Sequence, residues 1–377
     1  MAGIYIHIPF CKQACHYCDF HFSTNLKSQE QMVDSICKEL VNRKNYLMDE
    51  SLDSIYFGGG TPSILPVEEI KKILGVISDS FVSQNAEITL EANPDDLSES
   101  KLAELYQGGI NRLSIGIQTF DDDRLKFLNR SHNSNQAKET ISHTRRAGFS
   151  NISADLIFAI PPETNSLSRF ENDLRQLIEY KPEHISLYNL TIEAKTVFGN
   201  WHAKNKLTAV SEESSAEQYE RAIALLTSAG YEQYEVSNFA KAGKYSRHNS
   251  SYWKSALYLG VGPGAHSYNR KSRSINVSNN AQYIRDIQNG QTPSSTEHLT
   301  EIQMLNEYIL TRSRTKWGLD IEYMRMSWGF DLMKSHEKLV TRLIEENKAL
   351  LSDGIFRLTS KGFSVADEIS LRLFSEE

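Results

Sequence analysis

The chain has 377 residues, of which 24% are charged and 40% hydrophobic, as in an ordinary soluble globular protein with room for about two domains. Its net charge of −7 argues against a general nucleic-acid-binding protein, although it is compatible with a local basic patch. No apolar run reaches the length of about 18 residues that a membrane-spanning helix needs, and no N-terminal export signal precedes the first motif. Only four cysteines are present, three of them clustered, which argues against a secreted disulfide protein and predicts a cytoplasmic location.

Strand and helix patterns alternate along the first half of the chain. The predicted strands are residues 3–8, 54–57, 87–92, 112–117, 151–160 and 184–190. The predicted helices are residues 28–46, 67–81, 97–107, 136–147 and 168–180. This alternation predicts a parallel sheet with helices outside. About six strand–helix pairs fall short of a closed eight-fold barrel, so we expect an α/β fold with an open, partial (β/α)6 barrel.

Beyond residue 191 the pattern is less regular. We predict a helix at residues 215–229, a strand at 231–239 and a tight glycine-rich turn at 259–266. A polar segment rich in Ser and Thr, residues 289–300, is the predicted linker between a first domain of residues 1–290 and a C-terminal domain of residues 300–377.

The C-terminal domain resembles a small α+β, winged-helix-like module. The predicted elements are helices at residues 299–311, within 331–351 and at 362–374, with a strand at 354–358. Residues 331–377 carry nine acidic and seven basic side chains, a poor match to DNA, so we expect a structural or substrate-side role for this domain rather than nucleic-acid binding.

Three cysteines follow the first predicted strand in the spacing C-x3-C-x2-C: Cys11, Cys15 and Cys18. Three thiolates on one short loop can hold three irons of a [4Fe–4S] cluster and leave the fourth iron open to a small molecule. The loop lies at the C-terminal end of a strand, where barrels of alternating strands and helices place their sites.

A zinc site is the alternative interpretation of the loop. Structural zinc takes four ligands, and one of three nearby histidines could complete the set: His7, His16 or His21. The fourth cysteine, Cys37, belongs to the apolar stripe of the predicted helix 28–46 and is expected to be a buried small hydrophobe.

Polar and glycine residues follow several later strands. The run Gly58-Gly59-Gly60-Thr61-Pro62 could be a plain turn, or a place where bare backbone groups approach a ligand closely. Glu91, Gln118 and Asp155 lie at the ends of three strands, with Arg130 on a following segment. Each alone could be a cap or a surface ion pair. Because the carboxyl ends of parallel strands share one rim, together they predict a ligand site.

The cysteine loop resembles that of the radical S-adenosylmethionine (SAM) superfamily, which has an aromatic residue before the last cysteine, here Tyr17. The run from Tyr5 to Cys11 is similar to the anaerobic coproporphyrinogen III oxidase (HemN-like) family. This resemblance implies a [4Fe–4S] cluster on the three cysteines and a bound SAM. The implied SAM-contacting residues are Tyr5, Tyr17, Gly59, Gly60, Thr61, Glu91, Gln118, Arg130, Asp155 and Thr191. Carboxylates and an amide suit the ammonium and ribose hydroxyls of SAM, and a guanidinium suits its carboxylate.

Two departures from the oxidase pattern resemble the heme-chaperone branch of this family. Phe20 occupies the position of the oxidase's fourth cysteine, and the motif lacks the oxidase's longer N-terminal extension. The run from His248 to Trp253 also matches that branch's heme motif HNxxYW. This implies heme ligation by His248, with Tyr252 and Trp253 as flat apolar surface.

The sequence also allows other roles for two histidines, His248 and His266. Residue type alone favours a surface or hydrogen-bonded histidine at His248 over a heme ligand. His266, a second candidate ligand, is expected to have a structural role in its glycine turn.

The resemblance predicts a cytosolic heme chaperone that passes heme to acceptor hemoproteins such as respiratory cytochromes. Its cluster would then serve assembly or control, including homodimer formation and peripheral membrane contact. The alternatives are oxygen-independent oxidation of coproporphyrinogen III through a 5′-deoxyadenosyl radical, or another radical SAM reaction on a tetrapyrrole. We assign no catalytic residue from the sequence.

Overall fold

The computed structural model describes residues 2–48 and 50–375. Its strands are β1 (Ala2–Ile8), β2 (Leu52–Gly59), β3 (Glu87–Ala92), β4 (Arg112–Gln118), β5 (Ile152–Phe158), β6 (His184–Asn189), β7 (Glu232–Gln233), β8 (Asn238–Ala240), β9 (Leu257–Val261), β10 (His266–Tyr268), β11 (Ser272–Asn276), β12 (Ser294–His298), β13 (Leu319–Asp320), β14 (Ala349–Ser352) and β15 (Ile355–Leu358). Its α-helices are α1 (Gln29–Asn42), α2 (Val67–Ser80), α3 (Glu99–Gln107), α4 (Asp122–Phe127), α5 (Ser134–Arg146), α6 (Ser166–Tyr180), α7 (Val197–Ala203), α8 (Glu212–Ser228), α9 (Arg247–Trp253), α10 (Asn280–Gln288), α11 (Glu301–Ser313), α12 (Ile321–Trp328), α13 (Leu332–Glu345), α14 (Ser360–Phe363) and α15 (Ala366–Arg372).

Within the described residues, twelve strands form one open sheet in the order β12-β11-β10-β9-β1-β2-β3-β4-β5-β6-β8-β7. Strands β1 to β6 pair in parallel and in sequence, which confirms the predicted α/β fold with a partial barrel. Strand β1 alternates Ile4, Ile6 and Ile8, buried in the main apolar core, with Tyr5 and His7 on its other face. Side chains on that other face are available to build a site inside the barrel.

The parallel part of the sheet is longer than the six strands expected. Strand β9 pairs in parallel with β1, so the segment predicted as an irregular glycine turn supplies a seventh parallel strand. Its glycine is required by packing, since a Cβ on Gly260 would lie 2.0 Å from the carbonyl oxygen of His266. The glycines weaken the apolar pattern by which a strand is recognised, although Leu257, Leu259 and Val261 are fully buried.

Two other predictions for the second half were wrong in detail. The strand expected at residues 231–239 is two short antiparallel strands, β7 and β8, joined by a turn. The linker expected at residues 289–300 contains β12, which pairs with β11 along five residues. Strand β12 is polar and mostly exposed because it forms the edge of the sheet, so its composition is that of a linker.

The C-terminal residues form a second apolar core. It begins with Leu305 and Ile309 of α11 and continues through Met324, Val340 and Phe356. A three-stranded antiparallel sheet, β13-β15-β14, packs with these helices, as the winged-helix-like prediction requires. The single final helix predicted at 362–374 is instead α14 and α15, separated at residues 364–365. A domain boundary near residue 290 to 300 stays a prediction.

Among the helices of residues 2–48 and 50–375, none combines the length and apolar character needed to cross a bilayer.

Candidate functional site

The three clustered cysteines line one cavity of about 410 Å3, which we call the cysteine cavity. All three are free thiols and partly buried. Burial raises the pKa of Cys11 and of Cys18 to about 11, so these two thiols hold their protons until a metal displaces them.

Contacts from both sides hold the cysteine loop in place. Its first cysteine, Cys11, donates its backbone N–H to Ser23 O at 3.1 Å. Farther along, the His16 N–H donates to Leu128 O, just after α4, at 3.1 Å. The His16 ring packs edge-on against Trp201 of α7, with ring centres 4.9 Å apart. Segments distant in sequence therefore fix the thiols at the strand ends.

The glycine run that ends β2 is joined to the same loop. Gly60 donates its N–H to Ile8 O at 2.9 Å, and Thr61 donates its N–H to Phe10 O at 2.7 Å. A Cβ on Gly60 would lie 2.7 Å from Phe10 O, so no larger residue fits. Thus the backbone N–H of Gly60, which was expected to be bare, and that of Thr61 both attach the end of β2 to the loop. The Thr61 hydroxyl lies 3.4 Å from Cys11 Sγ.

Most of the residues predicted to contact SAM line the cysteine cavity together. They are Tyr17, Gly59, Gly60, Thr61, Glu91, Gln118, Arg130, Asp155 and Thr191. Tyr5 is the exception, because it lines a second cavity and its hydroxyl lies 3.2 Å from His7 Nδ1. The carboxyl ends of β1 to β6 therefore bring together nine of the ten residues at one rim.

Two buried carboxyl groups, Glu91 and Asp155, lie in this wall, and Arg112 partly opposes the effect of burial on the pKa of each. Glu91 accepts a hydrogen bond of 2.8 Å from the Tyr56 hydroxyl. Burial raises the pKa of Glu91 to about 7, even though that hydrogen bond opposes the shift. Asp155 accepts from the Ser114 hydroxyl at 3.3 Å, and burial raises its pKa as well. A positively charged ligand group would favour the ionised form of both.

Arg130 spans the cavity wall. Its Nη2 donates to Asn93 Oδ1 at 2.5 Å and to Gly116 O at 2.9 Å, while its Nη1 lies 3.4 Å from Cys15 Sγ. Within the described residues, Arg130 Nε and Gln118 Oε1 are buried and have no hydrogen-bond partner. Unpaired buried polar atoms are costly, so a polar ligand in this cavity would have groups ready to receive it. Three thiols, two carboxyl groups and these unpaired atoms fit a cluster with SAM beside it.

Each histidine considered for the zinc alternative uses at least one ring nitrogen in a hydrogen bond, which leaves it fewer nitrogens to offer a metal ion. The hydrogen bonds run from His7 Nε2 to His21 O at 2.9 Å, from His16 Nδ1 to Phe127 O at 3.0 Å and from His21 Nε2 to Asn280 Oδ1 at 2.8 Å. Among residues 2–48 and 50–375, no three His, Cys, Asp or Glu side chains are arranged as ligands of a single metal ion.

The second cavity has a volume of about 660 Å3, and we call it the aromatic cavity. Its aromatic lining consists of Tyr5, Phe20, Tyr252, Trp253, Tyr258 and Tyr268. The predicted heme residues Tyr252 and Trp253 are thus part of its wall. Asp19 and Phe20 line both cavities, so the cysteine loop separates them.

His248, the predicted heme ligand, lies inside the barrel and lines neither cavity. It is 1% exposed and stacks on Tyr56, with ring centres 4.8 Å apart. Both ring nitrogens are engaged, Nδ1 with the Ser54 hydroxyl and Nε2 with the Tyr252 hydroxyl, each at 2.8 Å. Burial, with a smaller effect of Arg112, lowers the pKa of His248 to about 3, so the ring is neutral. Its assignment as the iron ligand stays a prediction.

Sequence reasoning missed several residues of the site. Asn93, which positions Arg130, lies in the block that supplied Glu91, so its place beside a strand end was a usable signal. Tyr56 and Arg112 had no such signal, because neither lies at the C-terminal end of its strand: Tyr56 is inside β2 and Arg112 begins β4. Arg112 is 1% exposed, which only the three-dimensional arrangement reveals.

Comparisons with known proteins agree with this arrangement. Residues 5–177 match the sequence model of the Radical SAM superfamily. The chain is 35% identical to the heme chaperone HemW of Bacillus subtilis (strain 168) over 373 residues, which cover 98% of both chains. It is 38% identical to the heme chaperone HemW of Escherichia coli (strain K12) over 268 residues, covering 70% of this chain and 69% of that one.

A solved structure extends the comparison to the fold. Coproporphyrinogen III oxidase (HemN) from Escherichia coli, a radical SAM enzyme, superposes with a TM-score of 0.84 over 99% of this chain and 90% of that one. The sequence identity of that pair is 21%, so the likeness establishes a common fold. The extent and identity of the sequence matches establish the closer relationship: the chain belongs to the HemW family of the radical SAM superfamily.

Proposed function

We propose that this protein is a heme chaperone that binds heme and delivers it to acceptor hemoproteins such as respiratory cytochromes. The relatives named as heme chaperones support the proposal. The observation that carries it is the position of Tyr252 and Trp253, both of the HNxxYW run, in the wall of the aromatic cavity. At about 660 Å3 that cavity has the size of sites for organic ligands, and flat aromatic walls suit a porphyrin.

We further propose that Cys11, Cys15 and Cys18 hold a [4Fe–4S] cluster with SAM bound beside it. Such a cluster supplies redox-active iron, with one iron left open to SAM. Its support is the convergence of the three thiols with the other residues of the cysteine cavity.

The chain's own residues would orient SAM by charge and hydrogen bonding. Glu91 and Asp155 suit the ammonium and ribose hydroxyls of SAM, and Arg130 suits its carboxylate. Gln118 and Arg130 each offer an unpaired buried atom. Because the pKa of Glu91 is about 7, this carboxyl gives up its proton most readily when a cationic ligand is present.

Oxygen-independent coproporphyrinogen III oxidation is the second candidate function. It is favoured by the nine predicted SAM residues that line the cysteine cavity and by the aromatic cavity directly beyond Asp19 and Phe20. Phe20 at the position of the oxidase's fourth cysteine weighs against it.

One anaerobic preparation tests both functions. The protein is reconstituted with iron and sulfide and divided. One half is titrated with heme while the Soret band is followed; the other receives coproporphyrinogen III, SAM and a reductant and is assayed for protoporphyrinogen IX. Saturable heme binding without turnover is the result expected of a chaperone. Turnover would establish the oxidase, and absence of heme binding would exclude the chaperone.

Transfer and assembly need separate measurements. We expect a reducing, cytoplasmic location, peripheral membrane contact during delivery, homodimer formation linked to the cluster and no nucleic-acid partner. Incubation of the heme-loaded protein with an apocytochrome tests delivery. Light scattering with and without cluster tests the dimer, and co-sedimentation with vesicles tests membrane contact.

A further inference from the structure

The aromatic cavity contains histidines, and their hydrogen bonds differ. Both ring nitrogens of His7 are engaged, Nδ1 with Tyr5 OH at 3.2 Å and Nε2 with His21 O at 2.9 Å. His21 has Nε2 engaged with Asn280 Oδ1 at 2.8 Å. These bonds fix the rings of His7 and His21 as parts of the wall, with His7 unable to offer a nitrogen to a ligand without breaking one of them.

His266 differs from both. It is the first residue of β10, its side chain is exposed, and it lines the aromatic cavity. Across the part of the chain that the structure describes, its ring has no hydrogen-bond partner. The structural role expected for it belongs to its backbone, since its carbonyl oxygen packs against Gly260. Partial burial of the ring, followed by Arg273, lowers the pKa of His266, and a lowered pKa favours the neutral ring that iron ligation requires.

The rest of the wall suits the other parts of a heme. Tyr252 and Tyr258 meet edge to face, with ring centres 4.6 Å apart, and Tyr268 follows 6.1 Å from Tyr258. Arg273 lies above the Tyr268 ring at 5.9 Å and pairs with Glu307 at 2.9 Å. An arginine within reach of an aromatic floor is a suitable partner for the carboxylates of a porphyrin.

We propose that His266, and not His248, ligates the iron of a heme held in the aromatic cavity, with Arg273 facing its propionate groups. The proposal rests on the proposed heme-binding function and adds the ligand and the location. His248 would instead act as a positioning residue, because its Nε2 holds the hydroxyl of Tyr252 at 2.8 Å.

The test compares heme with iron-free protoporphyrin IX, which can fill the cavity but cannot be ligated. Both are titrated into the full-length protein and into His266→Ala, Arg273→Gln and, as matched control, His298→Ala, an exposed histidine of β12 outside the cavity. We expect His266→Ala to shift the Soret band and to lower heme affinity at least about 10-fold. Losing a residue that only supports a metal ligand already costs about 10-fold in metal affinity, so loss of the ligand itself should cost at least as much. Protoporphyrin IX affinity should be unchanged in His266→Ala but reduced in Arg273→Gln, and imidazole should restore the Soret band of His266→Ala.

Each possible failure has a distinct meaning. If His266→Ala binds heme with the affinity and spectrum of the unmodified protein, the ligand assignment is wrong while the chaperone proposal stands. If the unmodified protein binds no heme, the proposed function itself fails. His248→Gln, which keeps a polar side chain inside the barrel, distinguishes the two histidines. If this variant loses the spectrum of ligated heme while His266→Ala keeps it, His248 is the iron ligand. Circular dichroism of every variant shows that the compared proteins are folded.

Discussion

The two cavities of this protein are separated by the same loop but are built in different ways. The cysteine cavity is made mostly of residues that follow the ends of parallel strands, and hydrogen bonds hold its side chains in place, as Tyr56 holds Glu91 and Asn93 holds Arg130. The aromatic cavity is lined by residues of β1, the cysteine loop, α9, β9, β10, β11 and α11, and several of these residues meet through ring contacts. A polar, preorganised cavity suits a small charged ligand, whereas a wide aromatic one suits a flat apolar ligand.

The same contrast applies to the two histidines considered for iron. His248 has a recognisable motif around it, yet it is buried with both ring nitrogens occupied. His266 lies in a glycine-rich segment without a heme signature, yet its ring is exposed and unoccupied in the described part of the chain. Variants of residues that line one cavity alone should therefore leave the other unchanged.

Replacing the cysteines should give the largest difference between the two cavities. Replacing Cys11, Cys15 and Cys18 together by Ala should abolish iron and sulfide incorporation, because such clusters are held by Cys sulfur. Heme affinity should be retained, since none of the three thiols lines the aromatic cavity. Iron and sulfide analysis, together with a heme titration of the same preparation, measures both. Loss of heme binding together with the cluster would show that the cavities do not act separately.

Glu91→Gln should have the next largest effect. It should weaken SAM binding in the cysteine cavity and leave the aromatic cavity unchanged. Losing one charge-assisted contact should weaken SAM binding about 10- to 100-fold, measured by equilibrium dialysis with reconstituted protein. Because the pKa of Glu91 is about 7, SAM affinity of the unmodified protein should rise with pH through that value and that of Glu91→Gln should not.

Folding stability measured without SAM provides a control, because ionisation of Glu91 should favour SAM binding but oppose folding. The pKa of Glu91 rises from 4.5 to about 7 on folding, so the folded state holds this proton more tightly than the unfolded chain does. Its contribution to stability is full below pH 4.5 and is lost as pH rises through 7. Urea unfolding at pH 8 should therefore find Glu91→Gln at least as stable as the unmodified protein. A clear loss of stability there would mean that the ionised carboxylate is already satisfied by the protein.

Alanine substitutions at His248 and at His266 should differ in their cost to folding stability. His248→Ala should cost about 3 kcal/mol, because it opens a cavity beside Tyr56 and leaves the hydroxyls of Ser54 and Tyr252 unpaired. His266→Ala, at an exposed position, should change stability by no more than about 0.5 kcal/mol. Denaturant unfolding measures both, and equal effects would contradict the interior position of His248.

The pH dependence of His248→Gln sharpens this comparison. The pKa of His248 falls from 6.5 to about 3 on folding, so its proton binds the unfolded chain more strongly. The unmodified protein should lose about 1.4 kcal/mol per pH unit relative to His248→Gln as pH falls below 6.5, and the difference should be constant above pH 7. Groups common to both proteins cancel in this difference.

The ease of prediction also differs between the cavities. The cysteine cavity was predictable because strands β1 to β6 are parallel and consecutive, so residues such as Glu91 and Asp155, following similar patterns, had to meet at one rim. The aromatic cavity was not, because its wall joins β1 to segments more than 240 residues away, through β9, whose Gly260 obscured the strand. A motif indicates which residues matter, but the burial of His248 depends on packing from several elements.

The smallest effect on ligand binding is expected from a substitution at Phe20, in the wall that the two cavities share. Phe20 is 69% exposed and lines both of them, so it contributes little to stability. Phe20→Ala should weaken heme binding by about 2- to 10-fold, the value of one aromatic contact, and should leave iron and sulfide content unchanged. Removing the ring also opens the cysteine cavity to solvent, so the cluster should lose its absorbance faster in air. Faster loss of the cluster with unchanged heme affinity would assign Phe20 to the cysteine cavity alone, and the reverse pattern would assign it to the heme.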